Sequence, residues 1–146
     1  MPIVLSPEAK KPTVREIVHA ALRHLTMLAA GETASADDAR LAFDALETLV
    51  DAWRIDAAMA EAVDNVPYVI DFDTELILPQ GVRRVIEWTL ARELCADFAV
   101  PPAVEARAER NAMRYRRVVI QKYTEVPELT NEQAVGLGDP LGGFLQ

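Results

Sequence analysis

Arg107, Arg110, Arg114 and Arg117 are the side chains whose types and spacing most invite chemistry. At 100° per residue they fall within about 80° of one another on a helix. Each guanidinium offers a planar fork of donors that fits a phosphate or a carboxylate. Three surroundings suit such a stripe. They are an acidic protein neighbour, a nucleic-acid backbone, and solvent with Glu105 and Glu109 partly neutralising the charge.

Metal and nucleophilic chemistry find less to work with. Asp71, Asp73 and Glu75 alternate like the start of a calcium loop, but Leu76 stands where that loop needs glycine and no bidentate Glu follows. Glu16 and His19 form a Glu-x-x-His pair of the kind used in di-iron bundles. The second pair is missing, because His24 has Ala21 three residues before it. Both histidines are expected at or near the surface, and no metal or other cofactor is expected. Cys95 falls among apolar helix positions, where a buried, inert thiol is usual. As the only cysteine, it has no internal disulfide partner. Nucleophile elbow, P-loop and dinucleotide fingerprint are all missing from the sequence, so catalysis is not expected.

The elements that must position the arginines follow from periodicity. Residues 1–12 hold three prolines and no pattern, and read as an extended N-terminal arm. Thr13 and Glu16 have capping-box spacing. Val14, Ile17, Val18, Ala21, Leu22, Leu25 and Leu28 then make one apolar stripe, and Gly31 is placed to end that helix. Ser35 caps a second helix over about 36–55, with Asp37 and Asp38 in its first turn and Ala42, Leu46, Leu49, Val50 and Trp53 on its apolar face. From Met59 to Leu78 the helical pattern fails. Tyr68, Ile70 and Phe72 alternate with Val69, Asp71 and Asp73, which predicts an extended excursion or small hairpin over 66–78 whose side chains make contacts. Pro79 opens a third helix carrying Val82, Val85, Ile86, Leu90, Leu94 and Phe98. Pro101 and Pro102 open a fourth that runs to about Tyr123 and bears the arginine stripe. The expected fold is mainly α, with a four-helix domain over 13–126 and a C-terminal tail over 127–146.

That tail is Gly-rich but keeps Leu137, Leu141, Phe144 and Leu145. Spaced large apolar residues are not a linker's composition. They suit a segment that docks in a partner's groove, or one that folds back on its own domain.

Composition narrows the choices. The chain has 146 residues, 51% apolar and 26% charged, which is one packed domain. Fifteen basic residues face 23 acidic ones, a net charge of -8, the opposite sign to most compact nucleic-acid binders. The N-terminus does not read as a secretory signal, and no run of about 18 apolar residues predicts a membrane span.

The order of segments resembles a known family. VREIVHAALRHL is followed by an acidic helix ending DALETLVDAW, then FDTELILP, then GVRRVIEWTLARELCADFAVPP, then a basic final helix. This is similar to the head-to-tail adaptor of short-tailed phages of the P22 type, also called the tail accessory or packaged-DNA stabilisation protein. The likeness runs from Thr13 to Tyr123. It is most specific at Asp73 to Pro79 and at Leu90-Ala91-x-x-Leu94 with Phe98 and the prolines beyond. The resemblance implies a virion protein, made in the host cytoplasm, that binds the portal as a ring of twelve copies at the head-tail junction. Such a ring extends the channel for double-stranded DNA without gripping it, helps retain packaged DNA, and carries the next tail component, a nozzle or tail protein. By the same resemblance, the tail with Leu137, Leu141, Phe144 and Leu145 would reach along the portal. The arginine stripe would meet a neighbouring copy or the portal. The competing expectation is a small helical DNA-binding or packaging-associated protein that uses the basic face of its last helix.

Overall fold

The computed structural model describes residues 11–62 and 68–123. Most of the N-terminal arm, the first residues of the excursion, and the whole tail with Leu137, Leu141, Phe144 and Leu145 lie outside the described residues. The described chain is mainly helical: α1 (Val14–His24), α2 (Ala36–Ile55), α3 (Ala57–Ala62), α4 (Val82–Phe98) and α5 (Pro102–Tyr123). Among these residues no helix is long and apolar enough to cross a membrane.

The start of α1 shows why its first turn is stable. A helix leaves its first N–H groups without intrahelical partners. Here each has one. Glu16 Oε1 accepts from the Thr13 N–H at 3.3 Å, and Thr13 Oγ1 accepts from the Glu16 N–H at 3.2 Å, completing the capping box. The N–H groups of Val14 and Arg15 donate to the carbonyls of Thr74 and Phe72, each at 2.9 Å. The excursion therefore serves as a second cap on α1.

Over residues 68–78 the excursion runs extended around one turn and forms no hairpin. Among the described residues it makes one isolated antiparallel bridge, Thr13 to Glu75. Asp71 breaks the alternation by nucleating a turn: its Oδ1 accepts from the Asp73 N–H at 2.9 Å and from the Thr74 hydroxyl at 3.0 Å. Val69 and Leu76 are buried, whereas Tyr68 and Ile70 point to solvent. Phe72 is half-buried with its ring 5.0 Å from that of Phe43.

Two boundaries differ from the periodicity. The α1 helix stops at His24, well short of Gly31. Thr26 takes a left-handed φ of 62°, the Thr26 N–H donates to Arg23 O, and the Met27 N–H donates to Leu22 O. That is a Schellman ending built on a threonine where glycine is usual. The α2 helix ends at Ile55 with Asp56 as its C-cap, and α3 follows at once, giving five helices among the described residues where four were expected. The run AAMAEA is all good helix former, but it is too short to show a stripe. Pro79 sits outside α4. Gly81, at φ +88°, takes the left-handed conformation that turns the chain into that helix.

The α4 helix is the centre of the fold, packed against α1, α2 and α5. Val82, Val85, Ile86, Leu90, Ala91 and Leu94 are all fully buried. The α5 helix lies along α4 through Ala108, Ala112 and Val119, small enough for close approach. Its far end is tied down where the Tyr123 hydroxyl donates to Gln80 O at 2.7 Å.

Candidate functional site

With the Ala108–Ala112–Val119 face turned inward, the opposite face of α5 is outward, and Arg107, Arg110, Arg114 and Arg117 are all exposed on it. Arg107 is tethered: its Nη2 donates to His24 O at 2.7 Å, and its guanidinium lies 6.0 Å from the centre of the Trp88 ring. Arg114 lies 5.6 Å from the Tyr115 ring centre, with Arg84 of α4 5.5 Å from the same ring. Arg110 and Arg117 make no hydrogen bond, ion pair or ring contact among the described residues. None of the four stripe arginines is in an ion pair there. Glu105 and Glu109 do not neutralise the stripe. At two residues from Arg107 and one from Arg110, their nearest arginines, they fall on other faces of the helix, and both lie close enough to Cys95 of α4 to act on its thiol. Met113 and Val118, each half-exposed, border the stripe and give it an apolar edge.

A second surface lies between α2 and α4, a cleft of about 600 Å³. Its floor is apolar, with Leu49 and Trp53 buried and Ala45 beside them. Its rim carries the exposed carboxylates Asp44, Glu93 and Asp97 and the side chain of Leu41. Asp44 pairs with Arg40 at 3.3 Å and Glu93 with Arg92 at 3.4 Å. Asp97 has no ion pair among the described residues.

Asp56 closes one end of this cleft and joins three helices. Its Oδ1 accepts from the N–H groups of Ala58 (3.0 Å) and Met59 (3.2 Å), capping α3, while Arg116 of α5 donates to its Oδ2 at 2.8 Å. Burial alone would push this carboxyl up. The Met59 N–H, the Arg116 guanidinium and the Ala58 N–H together hold it below its ordinary value. Arg116 is one residue from Arg117 but points to a different face, so it belongs to the cleft and not to the stripe.

The least expected site is an acid inside the bundle. Glu87 of α4 is buried, accepts from Arg83 Nε at 2.7 Å, and stands 3.3 Å from His24 Nε2. The His24 ring is stacked on Trp88, with centroids 3.9 Å apart. Burial would raise the Glu87 carboxyl, but the hydrogen bonds from His24 and Arg83 outweigh it and hold it below the ordinary glutamate value of 4.5. The folded chain therefore binds this proton less readily than the unfolded chain does. The stability from Glu87 is complete above 4.5 and is lost as pH falls through the lower, folded-state value. Thermal melts should show Glu87→Gln about 1–3 kcal/mol less stable than the native chain at pH 7, with the two converging in acid. A gap that stays constant down to pH 3 would contradict this account.

The remaining candidates take structural roles. Asp71 organises a turn, Asp73 is exposed 3.3 Å from Arg15, and Glu75 forms the backbone bridge. Among the described residues no group of three or more His, Cys, Asp or Glu side chains could hold a metal ion. His19 joins two segments: its Nδ1 lies 2.7 Å from Arg15 O and its Nε2 accepts from the Ala34 N–H at 3.2 Å. Both histidines are half-buried. Cys95 is buried, with its Sγ donating to Ala91 O at 3.3 Å. Arg54 lies over the exposed Tyr68 ring, 3.9 Å from its centre. No protein-family model matches the chain, and no curated protein matches it.

Proposed function

We propose that the chain is a structural virion protein, a head-to-tail adaptor that binds below the portal as a ring, extends the DNA channel, helps retain packaged DNA and presents a platform for the tail. The observation that carries this reading is the arginine stripe, in no ion pair among the described residues, on the outside of an otherwise acidic helical domain. A net charge of -8 opposes tight binding of DNA, so the stripe is better suited to an acidic protein surface. The segment order from Thr13 to Tyr123, similar to that of the P22-type adaptors, supplies the setting: the portal, a ring of about a dozen copies, a next tail component, and passing DNA that is not gripped. In this reading the protein performs no chemistry and uses no cofactor or membrane.

A lone domain of this size offers modest contact area, so assembly should need a template. Size-exclusion chromatography is expected to show little ring formation by the chain alone and a large complex when portal is added. Removing Leu137 to Gln146 should weaken attachment at least tenfold; equal binding by the shortened chain would remove the tail from the account.

A second reading is favoured by one observation. Arg84 and Arg114 both lie over the Tyr115 ring, and a basic patch with an aromatic ring also suits nucleic acid. A small DNA-binding or packaging-associated protein would show duplex affinity that falls steeply with salt. A mobility shift at low ionic strength that detects no complex would dispose of it.

A further inference from the structure

Both surfaces described above lie on one chain, and each has what the other lacks. The cleft between α2 and α4 has an apolar floor and a rim on which the carboxylates Asp44, Glu93 and Asp97, with Asp56 at one end, outnumber the lining cations Arg92 and Arg116, which are paired with Glu93 and Asp56. Such a rim repels phosphate and suits guanidinium groups borne on a partly apolar face. The outer face of α5 is of that kind, with Arg110, Arg114 and Arg117 free of ion pairs among the described residues and Met113 and Val118 half-exposed beside them.

We propose that the outer face of α5 of one copy seats in the α2–α4 cleft of the next, making a head-to-tail contact between identical chains. The proposal rests on the reading of the protein as a multi-copy structural part, and names the contact that builds it.

Geometry decides against the simpler alternatives. Arg116 enters the cleft from α5, and the stripe arginines are turned by between about 100° and 180° from it around the same helix. The stripe therefore points away from the chain's own cleft and cannot fill it. A twofold dimer would need stripe and cleft to face one partner together, which that divergence forbids. What remains is a heterologous contact, repeated from copy to copy, which closes into a ring when the rotation per step allows. The stripe from Arg107 to Arg117 is only about 15 Å long at 1.5 Å per residue. A contact of that length is weak when untemplated, so it has to be trapped to be seen.

Leu41 on the cleft rim and Met113 beside the stripe are exposed at 39% and 50%, so cysteines there leave the core intact. The native Cys95 is buried and will not compete. A concentrated 1:1 mixture of the Leu41→Cys and Met113→Cys chains, treated with a short bismaleimide, is expected to give the heterodimer at least tenfold over either homodimer. The chain carrying both substitutions should give a ladder of multimers. Adding Arg110→Glu and Arg114→Glu to the Met113→Cys chain should cut the yield at least tenfold. Adding Asp44→Lys and Asp97→Lys to its Leu41→Cys partner should restore it. Heterodimer no more abundant than homodimers, or a yield indifferent to charge reversal, would overturn the contact. Portal-bound rings formed by chains that fail this trapping would also overturn it, while leaving the adaptor reading in place. Trapped heterodimers from chains that never join a portal would sustain the contact and remove the adaptor reading alone.

Discussion

Leu90→Ala is expected to lower the unfolding free energy by about 2–5 kcal/mol and the melting temperature by on the order of 10 °C. Leu90 is fully buried on α4, the one helix packed against α1, α2 and α5 together. The loss combines the transfer free energy of the missing methyl groups with a cavity that three surrounding helices cannot collapse to fill. Small domains are stable by only about 5–15 kcal/mol in all, so this one change removes a large share. Leu41→Ala on the cleft rim is the matched control and should shift stability by less than about 0.5 kcal/mol, because Leu41 is already partly in water. Chemical denaturation of the two variants checks the contrast. Similar midpoints for both would mean that α4 is not the centre of the core.

How much of this was legible in the sequence depended on how many faces an element buries. The α1, α2 and α5 helices each bury one stripe, and their apolar spacing showed where they lie. Caps at Thr13 and Ser35 were readable because a short polar side chain before an apolar run has one good use there. The end of α1 was not readable. Leu25 and Leu28 continue the apolar rhythm, and the turn is made by Thr26, a residue that seldom adopts a positive φ. The excursion reads as a strand because Val69 is in while Tyr68 and Ile70 are out, but Asp71 diverts the chain into a turn before any ladder can form.

The two acidic junctions were hidden for a different reason. Arg83 and Glu87 have the i, i+4 spacing of an ordinary surface pair. The third member, His24, is 63 residues away, and no local pattern announces it. A signal did exist in the flanks: Val85, Ile86, Thr89, Leu90 and Ala91 leave the 85–91 stretch of α4 little solvent face, which favours burial with partners for an acid among them. Asp56 is similar. It reads as a helix end, which it is, but its bond to Arg116 spans 60 residues. The stripe itself was placed correctly on one face. The assignment of Glu105 and Glu109 as its neutralising partners fails on angle alone, since neither sits three or four residues from any of the four arginines.

The Arg110→Glu, Arg114→Glu variant should keep its fold and lose assembly on the portal. Both side chains are exposed, and neither is in an ion pair among the described residues, so melting should shift by less than about 1 kcal/mol. The surface they leave changes by four charge units in a face only a few turns long. In the proposed contact with Asp44, Glu93 and Asp97 of the next copy, attraction would become repulsion at every repeat. Penalties of a fraction of a kcal/mol per exposed pair, multiplied around a closed assembly, are enough to empty it. Salt gives an independent check. At about 10 Å the Debye length in 0.1 M salt is comparable to the contact itself, so native assembly should weaken as ionic strength rises. A second variant separates charge from shape. Asp44→Lys with Asp97→Lys, placed in the same chain as the two glutamates, reverses both sides and should recover rings that the single-sided reversal cannot make. Normal rings from the Arg110→Glu, Arg114→Glu chain, or assembly indifferent to salt, would show that the stripe is a solvated helix face and that the copies meet elsewhere.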